Sequence, residues 1–183
     1  PKAVLSHISV LSHPGYHKFL LISDMAVIPV PDLSQKVAIT RYLVKTTQSL
    51  GIAKPKVAFL AATEQMLAGM PACVEAAMLA KMADRGQISG CIADGPLALD
   101  VCLNKEAAAI KKLNSPVAGD VDCILFPNIE SANVMYKCTT QLTPEAKQAA
   151  IVCGAMAPCV LSSRADSIET KLNSIALAAM TAQ

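Results

Sequence analysis

Short apolar runs alternate with longer stretches of helical period along the whole of this chain, and that alternation restricts it to an α/β fold with a mostly parallel sheet. The spacing predicts strands over Val4–Val10, Phe19–Ser23, Lys56–Ala61, Gly90–Asp94, Cys123–Phe126 and Ala149–Gly154. The clearest helix starts at Asp32, a good N-cap, carries Leu33, Val37, Val44 and Leu50 at helical spacing, and stops at Gly51. Its other face holds Lys36, Arg41, Lys45 and Gln48, so it is read as a surface helix. A second helix is expected over Ala72–Arg85, with Val74, Met78, Leu79 and Met82 on one face and Gly86 as its stop. Others are expected over Asn104–Lys112, Ser131–Leu142 and Asp166–Met180, the last with Ile168, Leu172, Ile175, Ala176 and Ala179 as its apolar stripe. Loops are short, and neither internal repeats nor low-complexity tracts interrupt the pattern.

Composition narrows the class of partner. With 53% hydrophobic and 16% charged residues in 183, the chain buries a full core and is expected to form one large domain, or one domain with a piece of another. The formal charge of +2 is spread without blocks of like charge, and aromatics are only 3% with no Trp, so neither a basic groove nor a stacking platform for nucleic acid is expected. No run approaches the roughly 18 apolar residues of a membrane span, and no secretory leader is visible, so a cytoplasmic protein is expected. Pro1 follows no methionine, which suggests that the front of a longer protein is absent.

The seven cysteines form no Cys-x-x-Cys pair and fall mostly in apolar runs, where they read as small buried hydrophobes. His7, His13 and His17 read as loop histidines; Pro14 and Gly15 prevent the helix that would bring His13 and His17 to one metal ion. Neither a Gly-x-Gly-x-x-Gly nor a Gly-x4-Gly-Lys-Ser/Thr motif occurs, which disfavours the common nucleotide sites.

In open parallel sheets, ligands lie beyond the carboxyl ends of the strands, and that rule selects the residues that carry chemistry. Ser163-Arg164, ahead of the final helix, is the sharpest candidate. Arg offers a planar fork to a phosphate, and the serine hydroxyl offers a donor to an acyl carbonyl oxygen, worth about 3 kcal/mol in a dry site. Backbone N–H groups and the dipole at the helix start would reinforce such a site. Ser163-x-x-Asp166 equally fits a capping box, and the two roles can coexist. Asp94 follows a buried strand and suits either a substrate contact or a strand-to-helix cap. Asn128, Glu130 and Asn133 share the next crevice position, and Lys137, one turn further, suits either a ligand phosphate or a solvated helix face.

Several blocks in one order, including Tyr16-His17-Lys18, Lys81-Met82-Ala83-Asp84-Arg85-Gly86, Asp94-Gly95-Pro96-Leu97, Ser115–Asp120, Phe126–Glu130, Asn133–Lys137 and Ser162–Asp166, resemble the C-terminal half of the phosphate acyltransferases, nearest the phosphate butyryltransferase type. The resemblance implies the two-domain fold of isocitrate and isopropylmalate dehydrogenases, with a homodimer and an active-site cleft between domains. Residues 1–24 would then be the remnant of a first domain, 25–160 the second α/β domain, and 161–183 the return to the first.

The implied reaction is acyl-CoA plus phosphate giving acyl phosphate plus coenzyme A by direct transfer in a ternary complex, with coenzyme A as substrate and product, no cofactor and no metal. Ser163 and Arg164 match the family's Ser-Arg pair that holds the reacting groups, so they are the implied catalytic residues. Thr170 and Gln141 replace an Asp and an Arg of acetyl-type members, which favours the butyryl branch and leaves Asp166 and Glu169 as candidate bases. Two alternatives remain: a non-catalytic fragment binding coenzyme A or acyl phosphate, and a dehydrogenase of the same broad fold.

Overall fold

A computed structural model describes residues 3–182; Pro1 and Lys2, where the expected first-domain remnant begins, and Gln183 lie outside the described residues. Six strands, β1 (Ser6–Ser12), β2 (Leu20–Ser23), β3 (Lys56–Leu60), β4 (Ile92–Leu97), β5 (Cys123–Leu125) and β6 (Lys147–Cys153), form one sheet in the order β4-β3-β5-β2-β1-β6. β4, β3, β5 and β2 are mutually parallel. β1 is antiparallel to both its neighbours, because only a short loop joins it to β2, whereas a parallel pair needs a crossover. β6 therefore points the same way as the parallel four.

Six helices complete the three layers: α1 (Leu33–Ser49), α2 (Pro71–Asp84), α3 (Leu99–Leu103), α4 (Lys105–Ile110), α5 (Ile129–Leu142) and α6 (Ile168–Thr181). Strand side chains alternate between the faces. Leu21, Val57, Phe59 and Leu125 pack with Val37 and Leu43 of α1 and Leu79 of α2, while Ile22, Ala58 and Ile124 pack on the other side with Val101 of α3 and Tyr136 of α5. Each fully buried Leu, Ile or Phe contributes about 2 kcal/mol, and both faces of the sheet are filled this way. The expected α/β/α class is the observed one.

α1 is built as the sequence indicates. Asp32 accepts the Gln35 N–H at 2.8 Å while the Gln35 side chain accepts the Asp32 N–H at 2.8 Å, and Gly51 follows its end with φ +94°. Lys36 departs from the solvated face assigned to it: it is buried, with its ammonium on Glu75 of α2. On α2, Cys73, Ala76 and Leu79 face the core, and Val74 and Met78 are exposed.

The fourth strand runs further than expected. It starts at Ile92 and continues through Gly95-Pro96 to Leu97, so Asp94 sits within an edge strand rather than at a strand's end, and its side chain meets only the Gly95 N–H, at 2.8 Å. An edge strand tolerates proline, and Gly95 lies so close to Phe59 that a Cβ there would stand 2.7 Å from the Phe59 Cβ. The helix expected over Asn104–Lys112 is present as α4, capped by Asn104, and is preceded by the unforeseen single turn α3.

α6 corrects the expectation most. It begins at Ile168 with Ser167 as its N-cap, and the residues it turns inward are Thr170, Ser174 and Leu177. The expected core stripe faces outward, with Ile168, Leu172 and Ile175 at 78%, 60% and 57% exposure on one ridge. β6 is an edge strand, and its outward N–H groups need acceptors. Ser174 Oγ accepts the Ala150 N–H at 2.9 Å and donates to Thr170 O at 2.7 Å, so a polar face docks on the sheet edge.

Candidate functional site

Three segments converge beyond the carboxyl end of β2. The first is the loop that leaves it. Asp24 is buried, and its side-chain oxygens accept the N–H groups of Ala26 and Val27 at 2.9 Å and of Ile28 at 3.2 Å, with the Ser6 hydroxyl at 3.1 Å. That wrapping fixes Met25 and Ala26 in place.

The second segment is α5, whose N-terminus is held by Asn128 through its acceptance of the Ser131 N–H at 3.0 Å. Helical spacing then puts Asn133, Tyr136 and Lys137 on one face. Asn133 Nδ2 donates to Met25 O at 3.0 Å, tying the helix to the loop. The Lys137 ammonium stands 5.3 Å from the Tyr136 ring centroid and has no ion-pair partner among the described residues. Burial, and then the charge of Asp166, push the Tyr136 phenol pKa up.

The third segment returns along the edge of β6. Cys159 and Val152 exchange two backbone hydrogen bonds, at 2.7 and 3.4 Å, and Leu161 O then meets His7 Nε2 of β1 at 3.0 Å. Ser163 N–H donates to Asp166 Oδ2 at 2.6 Å, and Asp166 N–H donates to Ser163 O at 3.1 Å, closing a turn with Arg164 and Ala165 at its centre. Half of the expected capping box is therefore present: Asp166 returns to the Ser163 N–H, but Ser163 does not cap the helix, a role taken by Ser167 four residues on. Arg164 is exposed in that turn, ahead of the helix rather than in its first turn, with no ion-pair partner among the described residues.

Between these segments lies a cavity of about 250 Å³. Its walls bring together Ser163, Asn133 and Lys137 of the expected site residues, and Arg164 is adjacent to Ser163. Asn128 and Asp94 are not among its walls: the first is engaged as the α5 cap, and the second lies on β4, three strands away from β2. His7, Met25 and Tyr136 are wall residues that the sequence reading did not select. His7 was taken for a loop histidine and is a buried strand residue; its position next to the apolar run Ile8–Leu11 was the available signal. A larger groove of about 400 Å³ runs between α1, the 154–158 loop and the end of α6, and contains none of the expected site residues.

Of the two candidate bases, Asp166 is committed to Ser163 N–H, with Tyr136 Oη and Gln148 Nε2 each at 3.5 Å, and Glu169 is exposed and paired with Lys147 at 2.6 Å. Among the described residues, no three His, Cys, Asp or Glu side chains gather where they would hold a metal ion. Cys102 and Cys123 are buried as expected, and burial pushes both thiols up to about 12. Cys138 and Cys159 are exposed, against expectation.

The fold and the crevice define an open α/β protein in which Ser163 and Lys137 line one cavity at the carboxyl end of the sheet, with Arg164 next to Ser163 in the chain. The family of phosphate acetyl/butaryl transferases matches residues 2–179, and the chain belongs to that family. It is 48% identical over 178 residues to a phosphate butyryltransferase of Clostridium acetobutylicum, covering 97% of this chain and 59% of that one. To a phosphate acetyltransferase of Thermotoga maritima it is 45% identical over 178 residues, covering 97% and 60%. The crystal structure of a branched-chain phosphotransacylase from Enterococcus faecalis superposes with a TM-score of 0.90 at 32% identity, over 100% of this chain and 65% of that one. The chain thus spans about three fifths of the length of these curated relatives.

Proposed function

We propose that this chain carries the acyl- and phosphate-handling part of a phosphate acyltransferase that exchanges coenzyme A and inorganic phosphate on a short, butyryl-type acyl group. The observation that carries the reading is the cavity that both Ser163 and Lys137 line, with Arg164, which has no ion-pair partner among the described residues, next in the chain. In direct transfer, an oxygen of hydrogen phosphate attacks the thioester carbonyl carbon, the carbon–sulfur bond breaks, and the departing coenzyme A thiolate takes up the proton that the phosphate gives up. Arg164 would grip the phosphate through its fork, and Ser163 would donate to the carbonyl oxygen as charge grows there. Lys137 would neutralise a phosphate group of coenzyme A, and Asn133 would steady the loop wall beside it.

The butyryl-type assignment is supported by Thr170 and Gln141, which stand where acetyl-type members resemble one another in Asp and Arg. Thr170 is buried, and its N–H is spent on the Ser167 cap. The two-domain arrangement and the homodimer belong to the same proposal. Its support is the outward ridge of Ile168, Leu172 and Ile175 on α6, an apolar surface suited to the additional length that the relatives possess.

Incubation with butyryl-CoA and phosphate, with release of free thiol followed against time, tests the reading. Phosphate-dependent thiol release is expected; butyryl-CoA left intact by the full-length protein would refute it.

A further inference from the structure

The imidazole of His7 stands in the cavity wall with no part in the exchange as drawn above. It is 5% exposed, and each ring nitrogen faces one partner: Nδ1 the sulfur of Met25, and Nε2 the carbonyl oxygen of Leu161 at 3.0 Å. A carbonyl oxygen only accepts, so Nε2 carries a proton; the thioether sulfur is itself a weak acceptor and does not decide the state of Nδ1. Burial lowers the imidazole pKa, opposed by the Leu161 carbonyl and by the charges of Asp24 and Asp166, and the ring is held neutral.

Leu161 is two residues before Ser163 and three before Arg164. The segment from 159 to 166 is irregular, and its ties to the rest of the fold among the described residues are few: Cys159 to Val152, Leu161 O to His7, and Asp166 to Tyr136 Oη and Gln148 Nε2, each at 3.5 Å. Of these, the His7 bond is the one that reaches β1, and His7 is itself a wall of the cavity.

We propose that His7 is a positioning residue whose Nε2–H holds the Leu161 carbonyl and thereby sets the Ser163 hydroxyl and the Arg164 guanidinium at the cavity mouth. The catalytic consequence rests on the function proposed above, whereas the clamp is a property of the chain by itself. His7 is not an acid or base in the exchange, because Nδ1 is taken up by the Met25 sulfur and Nε2 by the Leu161 carbonyl.

Nitrogen-15 NMR of the wild-type chain should show His7 as the neutral Nε2–H form at pH 7; an Nδ1–H form, which leaves Nε2 without a proton, would overturn the proposal without any variant. Amide hydrogen exchange over residues 160–166 should then be about tenfold faster in His7→Leu than in wild type, the equivalent of one lost hydrogen bond. His7→Gln, whose amide nitrogen reaches roughly where Nε2 lies, should exchange near the wild-type rate. Unchanged exchange in His7→Leu, or exchange in His7→Gln as fast as in His7→Leu, would overturn the clamp.

In the thiol-release assay, His7→Leu should lose about a hundredfold in kcat through misplacement of the Ser163 segment, with His7→Gln active and its pH profile that of wild type. Equal losses in both variants would make the ring an acid or base and overturn the positioning role. If wild type itself releases no thiol, the proposed function fails, and the tautomer and exchange measurements still decide the clamp.

Discussion

Replacing Ser174 by Ala removes a hydroxyl that serves two groups at once, and the structure sets the size of the effect. Ser174 is wholly buried, and its Oγ accepts the N–H of Ala150, itself buried in edge strand β6. The loss of its donation to Thr170 O is minor, because that carbonyl lies in the first turn of α6 and helix propensity slightly favours Ala. The orphaned Ala150 N–H decides the outcome: a buried donor without an acceptor costs about 1–3 kcal/mol. Less the few tenths gained in propensity, the net destabilisation is about 1–2 kcal/mol, which for a chain of this size lowers Tm by about 2–8 °C. Thr181→Ala is the matched control, since Thr181 Oγ1 only donates back to Leu177 O and Ala178 O within its own helix and caps no strand. Urea denaturation of the two variants, fitted with a common m-value, measures both changes. A Ser174→Ala midpoint equal to that of wild type, or an equal loss in Thr181→Ala, would refute the account of α6 as a polar cap on the sheet edge.

Two further results are expected. Lys56, His17 and Lys18 hydrogen-bond Asp120 and hold its pKa well below the usual carboxylate range, the Lys56 bond being the largest cause. A depressed folded pKa means that the Asp120 contribution is present above the unfolded value of about 4 and is lost as pH falls through the folded one. Asp120→Asn should therefore flatten the acid limb of stability below about pH 4, and an unchanged limb would contradict the network. Iodoacetamide at pH 8, read by peptide mass, should label exposed Cys138 and Cys159 first and leave Cys102 and Cys123, with thiols at about 12, unlabelled in the native state. Early labelling of Cys123 would show that β5 opens readily.

The α/β class was legible because strands buried on both faces leave apolar runs and α1 carries its start and stop in Asp32 and Gly51. α6 misled the pattern for a physical reason. Periodicity assumes that the apolar stripe faces the core, whereas an edge strand with outward N–H groups selected Thr170 and Ser174 for the inner face. Asp94 misled likewise, because Gly-Pro reads as a turn and the edge strand accommodates it. At the candidate site, Ser163, Asn133 and Lys137 were selected by their place beyond strand ends and converge. The burial of His7 was legible from the strand around it, but its partners were not, because Met25 and Leu161 lie 18 and 154 residues away in the chain. Asn128 was selected for its place in the crevice and instead caps α5 through the Ser131 N–H, a role that its position after a strand equally allowed.

The central claim is that Arg164 grips the reacting phosphate, and steady-state kinetics of Arg164→Ala at varied phosphate and saturating butyryl-CoA test it most directly. Loss of a bidentate, charge-assisted contact predicts a fall of about a hundredfold in kcat/KM for phosphate, with Arg164→Lys recovering only part of it. Phosphate kinetics identical to those of wild type would contradict the account.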